Sequence, residues 1–267
     1  MTDTSPKIQI LKTGSLCPPM LLRVLSACAL ALTLLAGPVA AQDLNRGEIE
    51  KIVREYLLEH PEVIAEALTE LDRREKEAAE VARVEALNES ADVLFNSSRQ
   101  VVLGNPEGSV TLVEFFDYNC GYCKRAHGDM VKLIDENPDL KVVLKEFPVL
   151  GQGSVEAAQV AVAVNSVAPE KYGEFHEKLL LSRGQANRAS ALAAATSVGI
   201  SEDDLLASMK TDEAGQTIEE VYSLANRLGL TGTPSYVVGN DVVMGAVGYE
   251  ELSQKLDALQ NCGQTTC

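Results

Sequence analysis

The run VTLVEFF, Val110 to Phe116, is rich in β-branched and aromatic residues and reads as a strand. A helix-forming stretch follows from Gly121 to about Glu136 and stops at Asn137-Pro138; a second strand pattern then runs from Lys141 to Phe147. Two strands joined through a helix cannot form a hairpin. They predict a right-handed crossover with a parallel pair, and so an α/β domain. Val101 to Leu103 adds a short strand before the crossover, with a turn at Asn105-Pro106-Glu107-Gly108. After it, helical patterns alone recur over Ser154–Val167, Pro169–Leu181, Arg188–Val198, Glu202–Lys210 and Thr217–Leu228. Strand character returns at Ser235–Val238 and Val242–Met244 around a Gly239-Asn240-Asp241 turn, and Tyr249–Gln260 closes the domain as a helix.

Ahead of this domain the pattern is different. Arg23, an apolar run from Val24 to Leu35, and Val39-Ala40-Ala41 read as a signal peptide over residues 1–41, with Met20 as an alternative start and periplasmic export as the destination. Residues 42–98 are predicted to be an N-terminal helical oligomerisation segment and linker. Ile49, Ile52, Val53, Tyr56 and Leu57 fall on one helix face, and His60-Pro61 interrupts the pattern. A second helix then runs to about Asn88, with Leu57, Ile64, Leu71 and Ala78 spaced by sevens. Between Glu48 and Asp92 stand 14 acidic and 6 basic residues, which leaves a thin apolar stripe on a charged rod. Such a stripe needs a cover, and self-association is the favoured one over a hairpin docked in cis. Glu89 to Arg99 reads as a hinge. Residues 99–260 form the α/β domain, its helical insertion spans about 151–230, and 261–267 is a tail.

The chain carries a net charge of −16; losing a leader of net +2 leaves −18. That acidity argues against nucleic acid and anionic lipid as partners. Of six cysteines, Cys17 and Cys28 lie in the leader, and Cys120, Cys123, Cys262 and Cys267 remain. In an exported chain these persist as disulfides or redox catalysts.

Cys120-Gly121-Tyr122-Cys123 stands where the predicted strand gives way to the predicted helix. Unpaired N–H groups and the helix dipole favour an anion there, so the Cys120 thiol should ionise readily. Cys123, about one turn on, can attack a mixed disulfide formed at Cys120. Gly121 leaves the turn unobstructed, and Tyr122 supplies an apolar rim to an exposed sulfur. A Cu(I) clasp at Cys120 and Cys123 is the competing chemistry. No metal cofactor is expected, since His60, His127 and His176 are not spaced as further ligands, and His127 reads as a satisfied surface or boundary residue, with tuning of Cys123 one turn before it as the alternative. Cys262 and Cys267 read as a local structural disulfide, with an electron-relaying second pair as the alternative.

With Gly232-Thr233-Pro234-Ser235 before the hairpin strand, the sequence resembles the thioredoxin superfamily. EFFDYNCGYC and the helical insertion are similar to its DsbA-like branch. The N-terminal helices resemble the ScsC-like group (suppressor of copper sensitivity C), which includes trimeric disulfide isomerases. The resemblance implies a thioredoxin-like fold, no cofactor beyond the cysteines, and a cis Thr233-Pro234 bond facing Cys120. It also implies that the Thr233 backbone, with Tyr122 and Pro234, receives client peptide. Glu114 matches a buried acidic position of that branch, implying a proton relay for Cys123, while on an alternating strand it could equally face solvent. The Gly-Tyr dipeptide and Thr233 lean toward an oligomeric disulfide isomerase, kept reduced by a membrane thiol reductase and acting on misoxidised exported proteins. A monomeric DsbA-like oxidant is the alternative enzyme.

Overall fold

The computed structural model describes residues 45–267, so the signal-peptide assignment, with Cys17 and Cys28, lies outside the described residues. The fold is α/β. A five-stranded sheet has the order β1-β3-β2-β4-β5: β1 (Val101–Gly104), β2 (Val110–Phe116), β3 (Leu140–Glu146), β4 (Ser235–Val238) and β5 (Asp241–Met244). β2 and β3 are parallel, with Val113 opposite Val143, while every other pairing is antiparallel. The crossover between β2 and β3 is helix α3 (Gly121–Glu136).

Both faces of β2 are covered, which is why its run is apolar throughout rather than alternating. On one face Leu112 and Phe116 pack with Val142, Leu144, Met130 and Leu133, and with Leu252 and Leu256 of α9 (Tyr249–Cys262). On the other, Val113 and Phe115 pack with Val143, Phe147, Val237 and Val221 and Leu224 of α8 (Glu213–Arg227). Between β3 and β4 come α4 (Gln152–Val167), α5 (Tyr172–Leu180), α6 (Arg188–Ser197), α7 (Glu202–Ser208) and α8, with a 3₁₀ turn at Pro169–Lys171. α4 is apolar on nearly all sides, from Ala157 to Val164, because α6, α7 and α8 pack around it.

The first helix, α1 (Arg46–Glu59), starts at a capping box: Asn45 accepts the Glu48 N–H and the Glu48 carboxylate accepts the Asn45 N–H. It ends at His60, before Pro61. None of its residues is buried, and Ile49, Ile52, Val53 and Tyr56 stay about half exposed. α2 (Glu62–Asn96) follows, its polar surface laced by Arg73 with Glu70 and Glu77, Lys76 with Asp72, and Arg83 with Glu80. Compactness divides the chain into two units, the first ending at Leu68 and the second running Thr69–Cys267.

The hinge expected over residues 89–99 is a helix as far as Asn96. Leu87, Ser90 and Leu94 recur at helical spacing and are buried, with Ala86 and Val93 beside them, against the Phe115–Val143 face of the sheet. That packing outweighs the weak helix propensity of Asn88, Ser90 and Asn96. Polar ties hold the end in place. Lys145 Nζ donates to the Val93 carbonyl at 2.8 Å, Gln100 Nε2 donates to the Phe95 carbonyl at 2.7 Å, and Arg99 pairs with Glu213 at 3.0 Å and Glu220 at 3.3 Å. One face of the last ten residues of α2 thus joins the core. Leu94→Ala should cost about 2–5 kcal/mol of unfolding free energy in a denaturant titration. A loss below about 0.5 kcal/mol would mean that this end of the helix does not pack there.

Candidate active site

Cys120 caps the start of α3. Its backbone is extended (φ −76°, ψ 113°), and its sulfur accepts the Cys123 N–H at 3.3 Å. The three residues between β2 and this cap are held from below. The Asp117 carboxylate accepts the Asn119 N–H at 2.7 Å, the Ser154 hydroxyl at 2.7 Å and the Leu150 N–H at 2.9 Å. The Asn119 amide in turn donates to Ser154 Oγ and to the Ala186 carbonyl, and accepts the Ala186 N–H. The loop that aims Cys120 is therefore bolted to the first helix of the insertion and to the segment before α6.

Opposite the cap, the Thr233-Pro234 peptide bond is cis, and Cys120 Sγ lies 3.1 Å from the Thr233 carbonyl, to which it donates only in its thiol form. Tyr122 is 61% exposed, with the Arg125 guanidinium 4.2 Å from its ring centre. The sulfur itself is less open than expected: Cys120 keeps 4% of its surface and Cys123 1%. The reason is that the cap points in, toward the Thr233 loop, whereas Tyr122 points out.

The two thiols are free and sharply unequal. A hydrogen bond from the Cys123 thiol, against the cost of burial and with help from Thr233 and from backbone amides, brings Cys120 down to about 5. The same bond, seen from the donor, together with burial pushes Cys123 far above the ordinary thiol range. One sulfur is a thiolate at neutral pH and the other keeps its proton. Glu114, whose facing the sequence leaves open, sits on the α3 side of β2 and is 4% exposed. Burial first, and then the Cys120 charge, raise it to about 8.

Four further residues were not legible as a group. Glu146, at the end of β3, accepts from the Tyr172 hydroxyl at 2.6 Å and from the Tyr118 hydroxyl at 3.3 Å, and burial raises it to about 8. Tyr118 also meets His176 Nδ1 at 3.3 Å. Burial, and then His127, lower His176 to about 3. Tyr118 adjoins the cysteine motif and offers a weak signal; the others come together only through the insertion. His127 is a correction. It is buried rather than at the surface, because α3 turns Cys123, Ala126, His127 and Met130 to the core together. Cys262 and Cys267 are joined as a disulfide. Leu259 and Thr265 beside it abut Gly239, at the end of β4 away from Pro234, so this pair is remote from Cys120. Among the described residues no group of three or more His, Cys, Asp or Glu side chains is set to hold a metal ion.

A thiolate at a helix start and a protonated thiol one turn on can carry out thiol–disulfide exchange. In the reduced protein the thiolate ultraviolet absorbance should titrate with a midpoint at about pH 5. Because the folded value lies below the free-thiol value of 9.0, ionisation stabilises the reduced fold fully above pH 9, and that stabilisation is lost as pH falls toward about 5. A midpoint near the free-thiol value would contradict the geometry.

The DSBA-like thioredoxin domain model matches residues 111–257, and the model of the copper resistance protein ScsC N-terminal domain matches residues 46–78. Among solved structures, a thioredoxin-like oxidoreductase from Silicibacter pomeroyi DSS-3 is 41% identical, over 64% of this chain and 98% of that one, with a TM-score of 0.61. The thiol-disulfide exchange protein alpha-DsbA2 from Wolbachia pipientis is 32% identical, over 68% and 98%, with a TM-score of 0.64. The catalytic domain of Proteus mirabilis ScsC is 31% identical, over 64% and 94%, with a TM-score of 0.59. With these matches beside the geometry of Cys120, Cys123 and Thr233-Pro234, the chain belongs to the DsbA-like branch of thioredoxin-fold thiol–disulfide oxidoreductases and carries an ScsC-type N-terminal domain.

Proposed function

We propose that this oxidoreductase is an exported, periplasmic protein disulfide isomerase that works as an oligomer, with a trimer favoured. Cys120 attacks a wrong disulfide in a client: a Cys120–client bond forms, and one client sulfur leaves as a thiol. The freed client thiol then attacks a different sulfur, or Cys123 resolves a stalled complex by forming the Cys120–Cys123 disulfide. The client segment lies against Tyr122, Thr233 and Pro234. The observation that carries the exchange chemistry is the 3.1 Å approach of Cys120 Sγ to the Thr233 carbonyl, beside an unequal thiol pair. Glu114 serves Cys123 as a proton relay, in its carboxylate form above about pH 8. Clients are misoxidised exported proteins, and a membrane thiol reductase keeps the pair reduced. The Cys262–Cys267 disulfide has a structural part.

The oligomer rests on a different feature. Ile49, Ile52, Val53, Tyr56, Ile64, Leu68 and Leu71 are all about half exposed, along helices that otherwise carry charge. A second copy of the same stripe covers them without burying an ion pair, and several Cys120 sites then reach one client. Among the described residues no helix is long and apolar enough to cross a membrane.

Sedimentation of the full chain should give a trimer, and the Ile52→Glu, Tyr56→Glu, Ile64→Glu triple variant should sediment as a monomer that has lost reactivation of a scrambled disulfide substrate. A wild-type monomer would leave the oxidant reading, and stoichiometric copper uptake without turnover would leave the Cu(I) reading. Glu114→Gln should flatten the pH dependence of exchange around pH 8, and an unchanged profile would remove Glu114 from the relay.

A further inference from the structure

Behind Cys123 lies a histidine that the exchange chemistry above leaves unused. His127 stands one turn further along α3, and side chains four apart on a helix share a face with Cβ atoms about 5–6 Å apart. Both are buried, Cys123 at 1% exposure and His127 at 7%. Neither ring nitrogen of His127 has a hydrogen-bond partner among the described residues. Burying a polar ring without partners costs stability, and an apolar residue would fill the same space without that cost.

Titratable groups stand near the ring on its own helix and on α5. Cys123 shares its helix, His176 and Glu177 face it from α5, and Tyr118 stands in the loop before α3. Around Cys123 itself are Cys120, Glu114 of β2 and Tyr236 of β4. The ring centres of His127 and His176 are 5.7 Å apart. His176 is fixed in turn: it stacks on Tyr172 with centres 5.9 Å apart, meets Phe116 edge-on, and its Nδ1 pairs with the Tyr118 hydroxyl. A charge on His127 disfavours one on His176, so the pair accepts one proton at a time. Burial lowers His127, with Glu177 opposing, so its imidazole is neutral at neutral pH and has a lone pair to offer. Glu114, on the neighbouring strand, is still protonated below about pH 8 and cannot accept a proton there.

We propose that His127 is the base that takes the proton of the Cys123 thiol when Cys123 resolves a mixed disulfide, with His176 as the fixed ring behind it. The inference rests on the assignment of Cys120 as attacking sulfur and Cys123 as resolving sulfur. In the step, the Cys123 thiol, which is not hydrogen-bonded to the ring in the reduced protein, closes on it; the S–H bond breaks and its proton passes to His127. The sulfur displaces the client from Cys120; the Cys120–Cys123 bond forms as the Cys120–client bond breaks. The client sulfur leaves as a thiolate and takes up the proton that the His127 imidazolium gives back, directly or through solvent, so His127 returns to its neutral form. The cysteine pair is oxidised by two electrons, the client sulfur is reduced, and no further reactant is needed. His127 and Glu114 then divide the pH range between them, the imidazole below about 8 and the carboxylate above.

The test is single-turnover release of a peptide from its mixed disulfide with Cys120, followed against pH in the full-length protein. His127→Leu should slow release roughly tenfold or more well below pH 8 and converge on the wild-type rate above it, while alkylation of Cys120 in the reduced protein keeps its rate. His127→Asn, which keeps a polar side chain without a comparable base, should behave as the leucine variant does. Release by both variants at the wild-type rate and with the wild-type pH profile would overturn the proposal alone. So would a parallel fall of release and alkylation at every pH, since that marks disturbed packing rather than a lost base. A wild-type protein that forms no mixed disulfide at Cys120 would overturn the proposal together with the assignment it rests on.

Discussion

The hydrogen bond between Cys123 and the Cys120 sulfur divides one motif into two chemically different thiols. A pair of equal thiols at ordinary pKa would be slow to attack and slow to leave. Here the acceptor is held as a thiolate and the donor as a thiol, so the order of events is built into the resting state. Much of the surrounding fold keeps that bond in register. β2 delivers the chain to the cap, Asp117 and Asn119 fix the approach, α3 supplies its N-terminal dipole, and the Thr233 loop closes the far side.

A second constraint is the charge beneath the helix. The chain is strongly acidic outside, yet Glu114 and Glu146 are buried on the same side of the sheet and hold their protons to about pH 8. A neutral carboxyl under a thiolate avoids the repulsion that an ionised one would impose. Burial keeps both carboxyls neutral, and in Glu146 it does so against two tyrosine hydroxyls whose hydrogen bonds favour the ionised form. With Glu114 neutral beneath it, the negative charge of the cysteine pair sits on Cys120 at neutral pH. Lys145, next to Glu146 but on the opposite face, serves a separate purpose: it holds the end of α2.

What could be seen in the sequence follows from the range of the forces involved. The crossover from Val110 to Phe147, the helical insertion and the closing hairpin were legible because strand and helix periods are local. Cys120 was legible for the same reason, as a cysteine at a strand-to-helix change. Glu114 was ambiguous because an apolar run on a doubly covered strand carries no alternation to show which face a residue takes. The end of α2 was misread because Asn88, Ser90 and Asn96 signal a break, while the burial of Leu87 and Leu94 against a strand face far along the chain decides otherwise. His127, the α5 pair Tyr172 and His176, and Glu146 come from three separate elements, and no local pattern announces that they meet.

The most direct test of the account is trapping. A Cys123→Ala variant, incubated with a disulfide-bonded client and mapped by mass spectrometry, should accumulate a covalent complex through Cys120, and the matching Cys120→Ala variant should accumulate none. Complexes formed equally well through Cys123, or no complex through either sulfur, would contradict the division of labour on which the rest depends.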